Sequence, residues 1–242
     1  MALAEALVAK GVRTLFVTRT REALRLDWPC PVQVGTPPSA KAHVYDLHDW
    51  GAKDGAANVL TFEDYGGLTT GAWAAIDPHF GAAARHGDRI QAGFLGPKWA
   101  PLREPFGRQF LPAQNKSGVF VYGDAPALPK GAPKPVRYAG FNARHAAHAM
   151  TMSTLALVPP SMIALECLAV GTPVVLYVPG PKWQPIADAM VQAGVAAIWD
   201  GKDATLGRIL ADDRERKRMS DAGREAVDGR GADRLAEWLA DA

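Results

Sequence analysis

The sequence predicts an α/β fold built on parallel sheets, and one strand–helix–strand unit in its second half is the clearest evidence. The apolar run Leu155 to Val158 has the length of a buried strand, and Pro159-Pro160 ends it because proline donates no backbone N–H to a sheet. Strong helix formers follow Ser161 and stop at Gly171, before a second apolar strand from Val174 to Val178. A strand, a helix and a strand in this order require parallel strands joined by a right-handed crossover.

The first half of the chain shows the same alternation of helices and strands. A helix with leucine and valine on one face is followed by short apolar runs, and the later runs lead into acidic residues. The predicted elements are a helix at Ala2 to Lys10 and strands at Val12 to Thr18, Pro31 to Val34, Val44 to Trp50 and Asn58 to Phe62.

Three features of the second half have plain structural interpretations. Ala196 to Trp199 is the expected last strand, with Trp199 in the core rather than serving as a stacking platform. The run Arg214 to Arg218 alternates basic and acidic residues, which is typical of a solvated helix face. His145 and His148 share one side of a predicted helix, but no further metal ligand lies near them, so a metal site is not expected.

Composition and charge predict a soluble protein without a strongly charged surface. The 242 residues carry a formal net charge of +2, so the electrostatic potential of the protein does not indicate a nucleic-acid partner. Cys30 and Cys167 are the only cysteines, so the chain has no disulfide framework. The start lacks a basic region before an apolar core, and no apolar run has the length of a membrane span, so we expect a cytoplasmic protein.

Several stretches, taken in order, resemble GT-B sugar-nucleotide enzymes. The segment Ser161 to Glu166, the turn Gly171-Thr172-Pro173 and the loop that ends in Gln184 are similar to the donor-binding half of this superfamily. The chain most resembles the branch of MurG-type glycosyltransferases and of the hydrolase of pseudaminic acid synthesis, which removes UDP from a UDP-sugar. Three further stretches resemble parts of the same family. They are Leu95 to Phe106, which is similar to its interdomain segment, Val136 to Phe141, which is similar to the strand and loop that cover the nucleotide base, and Asp228 to Arg234, which is similar to its closing helix.

The resemblance implies two Rossmann-like parallel-sheet domains that face a cleft, both in shortened form. The expected domains are residues 1–110 on the acceptor side and residues 111–242 on the nucleotide-sugar side, with a last helix that crosses back. We expect the family's first strand and glycine-rich loop to be missing, and proline-rich Asp124 to Lys134 to replace the elements that usually follow the strand at Gly118 to Gly123. The hydrolase's Gly-x-Gly-His-x-x-Arg loop, with its catalytic histidine, has no equivalent, since the first histidine is His43.

The resemblance also implies a donor site at the start of the helix that follows Pro159-Pro160. A helix amino terminus offers unpaired N–H groups and a partial positive charge, which suit a diphosphate. Trp183 stands where the family has asparagine, and the two prolines stand where it has glycine or serine, which removes two amide donors. Ser161 as a simple helix cap and Glu166 as a solvated charge are the alternative interpretation. The expected donor-binding residues are Gly140 and Phe141 at the base, Ser161 and Met162 at the diphosphate, Glu166 at the ribose and Gln184 at the sugar or phosphates.

Polar residues at the ends of two predicted strands supply candidate bases for the acceptor. Inverting sugar transfer needs a group that takes the acceptor's proton as the sugar–phosphate bond breaks. Asp46 and His48 follow one strand and Asp64 follows the other, so these are the expected catalytic residues. Turn-forming aspartates and a surface histidine are the alternative interpretation.

Together these features predict a metal-independent glycosyltransferase that moves a sugar from a UDP-sugar, or a similar sugar nucleotide, to an acceptor hydroxyl without a further cofactor. The shortened domains suggest a small genome such as that of a phage, so a hydroxylated base in DNA, flipped out of the duplex, is one candidate acceptor. Two alternatives stay open. One is a UDP-sugar hydrolase with water as the acceptor, and the other is a non-catalytic remnant that binds a sugar nucleotide.

Overall fold

The computed structural model describes residues 1–18, 29–34, 40, 42–45, 59–62, 74–87, 92–107, 116–123, 125, 127–128, 132–138, 142–201 and 203–241. Within them parallel strands alternate with helices, which confirms the predicted α/β class. The helices are α1 (Ala2–Ala9), α2 (Ala82–His86), α3 (Glu104–Gly107), α4 (Ala143–Met152), α5 (Met162–Ala169), α6 (Gln184–Gln192), α7 (Asp203–Ala211), α8 (Asp213–Ala226) and α9 (Gly231–Asp241). The strands are β1 (Phe16–Thr18), β2 (Val32–Val34), β3 (His43–Tyr45), β4 (Val59–Phe62), β5 (Ala74–Asp77), β6 (Ala92–Leu95), β7 (Val119–Tyr122), β8 (Pro135–Tyr138), β9 (Leu155–Val158), β10 (Val174–Leu176) and β11 (Ala196–Ile198). Short 3-10 helices lie at Pro97–Trp99 and Pro181–Trp183.

The first half of the chain holds two parallel sheets. β1 pairs with β2, and β3, β4, β5 and β6 form a four-stranded sheet in that order. Leu60, Ile76 and Phe94 from this second sheet pack with apolar residues of α1 and α9 in one core. β1 pairs only from Phe16 to Thr18, because β2 offers no longer partner, so the predicted strand start at Val12 is wrong.

The second half contains a larger parallel sheet with the strand order β11-β10-β9-β7-β8, which we call the large sheet. Alternate strand residues face different cores: α4, α5 and α6 cover one face, while α7 and Met219 of α8 cover the other. Because both faces are buried at β7, β9 and β10, these inner strands are nearly continuous apolar runs in the sequence, whereas the edge strand β8 is mostly exposed and contains an arginine. The chain passes from β7 to the edge strand β8 and returns across β7 to β9, so its direction reverses between β7 and β9.

The strands of the large sheet end slightly earlier than the sequence predicts. β10 ends at Leu176 rather than at Val178, because Leu176 is the last residue that pairs with both Val158 and Ile198. β11 ends with that same Ile198, one residue before the predicted end. The next residues, Tyr177 and Trp199, still donate backbone hydrogen bonds to the carbonyl oxygens of Val158 and Leu176, so the loops at this edge of the sheet begin just beyond them.

The segment that leads into α9 ties the two halves together. α9 packs against α1, and its apolar face belongs to the first-half core. Arg234 donates hydrogen bonds to Asp228 and to the carbonyl oxygen of Lys98, both at 2.8 Å. A β-carbon on Gly231 would lie 2.2 Å from the carbonyl oxygen of Ala100, so the two backbones touch there. The predicted domain boundary at residue 110 lies outside the described residues.

The alternating charged run near the carboxyl end forms the solvated helix face that the sequence predicts. In α8, Arg218 pairs with Glu215 at 2.9 Å, and Lys217 pairs with Asp221 at 2.6 Å. Arg224 joins the same network through Asp221 at 2.8 Å. Such exposed pairs contribute little to stability, about 0–1 kcal/mol each.

Candidate functional site

A groove lies along the carboxyl-terminal edge of the large sheet, where β7, β9, β10 and β11 end. Its volume is about 650 Å³, which is in the range of small-molecule sites. In open parallel sheets ligands bind at this edge, beside the point where the strand order reverses. The lining residues, which define what we call the sheet-edge groove, are Tyr122, Gly123, Pro159, Tyr177, Val178, Pro179, Trp199 and Gly201.

Aromatic side chains shape the sheet-edge groove. The Tyr177 hydroxyl donates a hydrogen bond of 3.0 Å to the carbonyl oxygen of Tyr122, so the Tyr177 side chain spans from β10 to β7 past the end of β9. Trp199 packs against the core on the α7 side of the sheet and also lines the groove. The Trp199 side chain is therefore only partly in the core, where the sequence predicts it, and also faces the groove. Apolar rings of this kind suit the faces of sugars and bases.

The amino terminus of α5 follows this groove closely in the chain, since Pro159 lines the groove and Ser161 is the N-cap of α5. Ser161 occupies the N-cap position, but its side chain makes no capping hydrogen bond to the helix. The N–H of Ser161 donates to the carbonyl oxygen of Pro159 at 2.8 Å, and Ala164 donates to Ser161 at 2.9 Å. The N–H groups of Met162 and Ile163 are the first-turn donors that a helix leaves without an intrahelical acceptor. They provide a place for an anion at the end of β9.

Glu166 lies one turn into α5 and is partly buried. Burial raises the pKa of Glu166 to about 7, although the positive charge of Arg103 acts in the opposite direction. Arg103 comes from the segment before α3, which packs against α5. Glu166 is therefore less solvated than the alternative interpretation of a surface charge implies.

Gln184 is the first residue of α6 and is exposed. Its side-chain nitrogen donates to a carboxylate oxygen of Asp188 at 2.8 Å, one turn along the same helix. The short 3-10 helix that ends at Trp183 precedes it, and Lys182 Nζ lies 5.5 Å from the centroid of the Trp183 ring. A second helix amino terminus therefore presents an amide side chain near the carboxyl end of β10.

Several expected site residues lie outside the described part of the chain. Asp46, His48 and Asp64 on the acceptor side belong to this group, as do Gly140 and Phe141 at the expected site of the nucleotide base.

His145 and His148 are exposed on α4. In the residues that the structure describes, no group of three or more His, Cys, Asp or Glu side chains is arranged to hold a metal ion. No described helix combines the length and apolar character needed to cross a bilayer.

The structure reveals a buried polar cluster that the sequence analysis missed. Asp77 ends β5 and is fully buried. One carboxylate oxygen accepts from the backbone N–H of His79 at 3.0 Å and lies 3.1 Å from His79 Nδ1. The other oxygen accepts from Arg85 Nη2 at 2.8 Å and lies 3.0 Å from His86 Nε2. The signal in the sequence is the apolar run Ala74 to Ile76 that leads directly into Asp77-Pro78-His79.

This cluster stabilises the ionised form of Asp77. Burial alone would raise the pKa of Asp77, but hydrogen bonds from His79 and Arg85, together with the charge of Arg85, lower it to about 2. A carboxylate with so low a pKa is a weak base at neutral pH. Asp77 is therefore suited to holding its neighbours in place and unsuited to taking a proton from an acceptor.

Comparisons with known proteins bear on the fold rather than on individual residues. No protein-family model matches the sequence, and no curated protein matches it. The structure is similar to the glycotransferase of kitacinnamycin, with a TM-score of 0.64 and 13% identity over 99% of this chain and 94% of that one. It is also similar to CalG4, the calicheamicin glycosyltransferase, with a TM-score of 0.56 and 12% identity over 99% of this chain and 93% of that one. The narrower resemblance to the MurG-type and pseudaminic acid branch stays a prediction. Nearly the whole chain thus has the fold of GT-B glycosyltransferases.

Proposed function

We propose that the protein transfers a sugar from a UDP-sugar, or a similar sugar nucleotide, to an acceptor hydroxyl without a metal ion. The observation that carries the proposal is the sheet-edge groove beside the amino terminus of α5, in a chain with the GT-B fold. Both similar structures are glycosyltransferases by name. The aromatic side chains of the groove suit the rings of a sugar nucleotide, and the N–H groups of the helix terminus suit its phosphates.

The donor would lie across the start of α5. Pro159 and Pro160 provide no N–H groups, so the amides of Met162 and Ile163 take the diphosphate with the positive end of the helix dipole. Glu166, farther along α5, accepts hydrogen bonds from the ribose hydroxyls when it is ionised. Gln184 at the start of α6 contacts the sugar. Charge that develops on the leaving diphosphate is stabilised by the same fixed donors.

The acceptor's proton would pass to a residue of the first half of the chain. Asp77 is the described carboxylate at a strand end there, and its low pKa makes it a poor acceptor of protons. The proposed base therefore remains among Asp46, His48 and Asp64, which follow the neighbouring strands β3 and β4 in sequence. Substituting each in turn, with kcat followed separately from donor affinity, identifies the base as the residue whose loss affects kcat alone.

A turnover assay tests the proposal. We expect the protein to release UDP from UDP-glucose or UDP-N-acetylglucosamine only when an acceptor is added, and to form a glycosylated product that mass spectrometry detects. Suitable acceptors are small hydroxylated aromatic compounds and DNA with a hydroxylated base. Glu166→Ala should weaken donor binding, since the ribose loses its acceptor.

Each other outcome has a defined meaning. UDP release without an acceptor identifies a hydrolase, and donor binding without any release identifies a non-catalytic remnant. Product formation on DNA that declines steeply with added salt identifies a nucleic-acid substrate, because phosphate contacts release counterions. Absence of both binding and release for every sugar nucleotide contradicts the proposal.

A further inference from the structure

We infer that the loop between β5 and α2, residues 78–81, is a positioning device that sets the place of α6 and thereby of its sugar-binding Gln184. The inference rests on the proposed function, because it assigns a sugar contact to Gln184. It extends that function by giving the first half of the chain a part in the donor site of the second half.

Hydrogen bonds hold the loop rigidly at its base. Asp77 fixes the backbone and the ring of His79, at 3.0 and 3.1 Å. Arg85 reaches back from α2, with Nη1 donating to the carbonyl oxygen of Phe80 at 2.5 Å and Nη2 donating to Asp77 at 2.8 Å. Asp77 and His86 are fully buried and His79 is 3% exposed, so water does not compete for these bonds.

The tip of the loop reaches the second half of the chain. Phe80 is 6% exposed and belongs to the same buried cluster as Ile186, Ala187 and Met190 of α6. Since this cluster also contains strands of the large sheet, the Phe80 side chain is part of the second core rather than of the first. The loop is thus anchored at one end by a polar cluster and at the other by apolar packing.

Gly81 lies close to α6. Its φ of +73° lies in the left-handed region, and a β-carbon there would lie 3.0 Å from Cβ of Ala189, 3.2 Å from Nη1 of Arg85 and 4.0 Å from the carbonyl oxygen of Pro185. Contacts closer than about 3.5 Å between carbon atoms are repulsive. A β-carbon at position 81 therefore presses on Ala189 in the second turn of α6 and on the Arg85 side chain, so these neighbours must move by a few tenths of an ångström.

The test is a substitution with a compensating change across this contact. We expect Gly81→Ala to weaken binding of UDP-glucose by about tenfold or more, while binding of UDP, which lacks the sugar, changes by less than about twofold. Adding Ala189→Gly removes the opposing β-carbon, so the double variant should recover most of the UDP-glucose affinity. Calorimetric titrations of the full chain with both ligands provide the measurements.

Gly11→Ala is the matched control, because Gly11 has a φ of +74° and nothing within 4 Å of a β-carbon. It introduces the same backbone strain away from α6 and should leave both affinities unchanged. If Gly81→Ala does not fold, Ala189→Val approaches the same contact from α6 without strain at a left-handed residue.

Parallel loss of UDP and UDP-glucose affinity, unchanged UDP-glucose affinity, or failure of Ala189→Gly to restore it would each overturn the inference. Failure of the wild-type chain to bind either ligand would instead contradict the proposed function and remove the basis of the inference with it.

Discussion

Replacing Asp77 with alanine should lower the free energy of unfolding by about 3–5 kcal/mol, the loss that follows when one partner of a buried ion pair is removed. The substitution leaves the Arg85 guanidinium, whose side chain is 14% exposed, without its carboxylate. It also removes the acceptor from the backbone N–H of His79 and from the buried ring of His86. Urea-induced unfolding followed by circular dichroism measures the change.

Asp221→Ala is the control for Asp77→Ala. Asp221 also accepts from two cationic side chains, Lys217 and Arg224, but its side chain is 48% exposed. Because exposed pairs are weak, this control should cost less than about 1 kcal/mol. Equal losses for the two variants would show that the Asp77 cluster does not hold the fold as described.

The pH dependence of stability is a second test of the contribution of the Asp77 carboxylate. Its pKa is lowered from the ordinary value of 3.8 to about 2 in the folded protein, so the stability it provides is complete above about pH 4 and is lost as the pH falls towards 2. Asp77→Asn should show a correspondingly smaller loss of stability over this acidic range.

Glu166→Gln should stabilise the protein at alkaline pH and lose that advantage in acid. Burial raises the pKa of Glu166 from 4.5 to about 7, so between these values the folded chain binds more protons than the unfolded chain. Stability of the wild type therefore falls as the pH rises from about 4.5 to 7, by up to about 3 kcal/mol. Glutamine has nearly the same shape without a charge, so it avoids this loss.

Unfolding free energies near pH 5 and near pH 8 provide the measurement for Glu166→Gln. The difference between variant and wild type should be small at the lower pH and largest at the higher. Glu225→Gln changes an exposed carboxylate on α8 and should alter stability by less than about 0.5 kcal/mol at either pH. A difference for Glu166→Gln that does not grow with pH would show that its carboxyl group is well hydrated.

The sequence predicted the large sheet better than the sheets of the first half. Leu155 to Val158 and the helix after Ser161 stand in the structure almost as expected, because this inner strand is buried on both faces and is a continuous apolar run. β5 and β6 went unpredicted. β5 contains two alanines and ends in an ionised aspartate, with Ile76 as its one β-branched residue. β6 contains a glycine and no β-branched residue, so neither strand is rich in the residues typical of strands.

The candidate site was predicted in the same uneven way. A turn and a helix start are local features, so the positions of Ser161, Met162 and Glu166 beside the large sheet followed from the sequence. The burial of Glu166 beside Arg103 depends on residues distant in the chain, and so does the contact of Gly81 with α6. Pairing of a buried aspartate with Arg85 likewise becomes visible only once the loop and α2 are folded back on β5.

The central claim is that the first turn of α5 binds the diphosphate of a sugar nucleotide. Met162→Pro tests it, because proline fits the first position of a helix and removes only that residue's N–H. Ser161 is already extended, with φ −131° and ψ −170°, as a residue before proline requires. Met162→Ala, which keeps the N–H, shows what loss of the side chain alone contributes.

Calorimetric titration of UDP into the wild type and both variants is the measurement. A hydrogen bond to a charged group is worth about 1.5–3 kcal/mol, so we expect Met162→Pro to bind UDP about 10- to 100-fold more weakly than Met162→Ala. Equal affinities for the two variants, or no binding of UDP to the wild type, would contradict the claim.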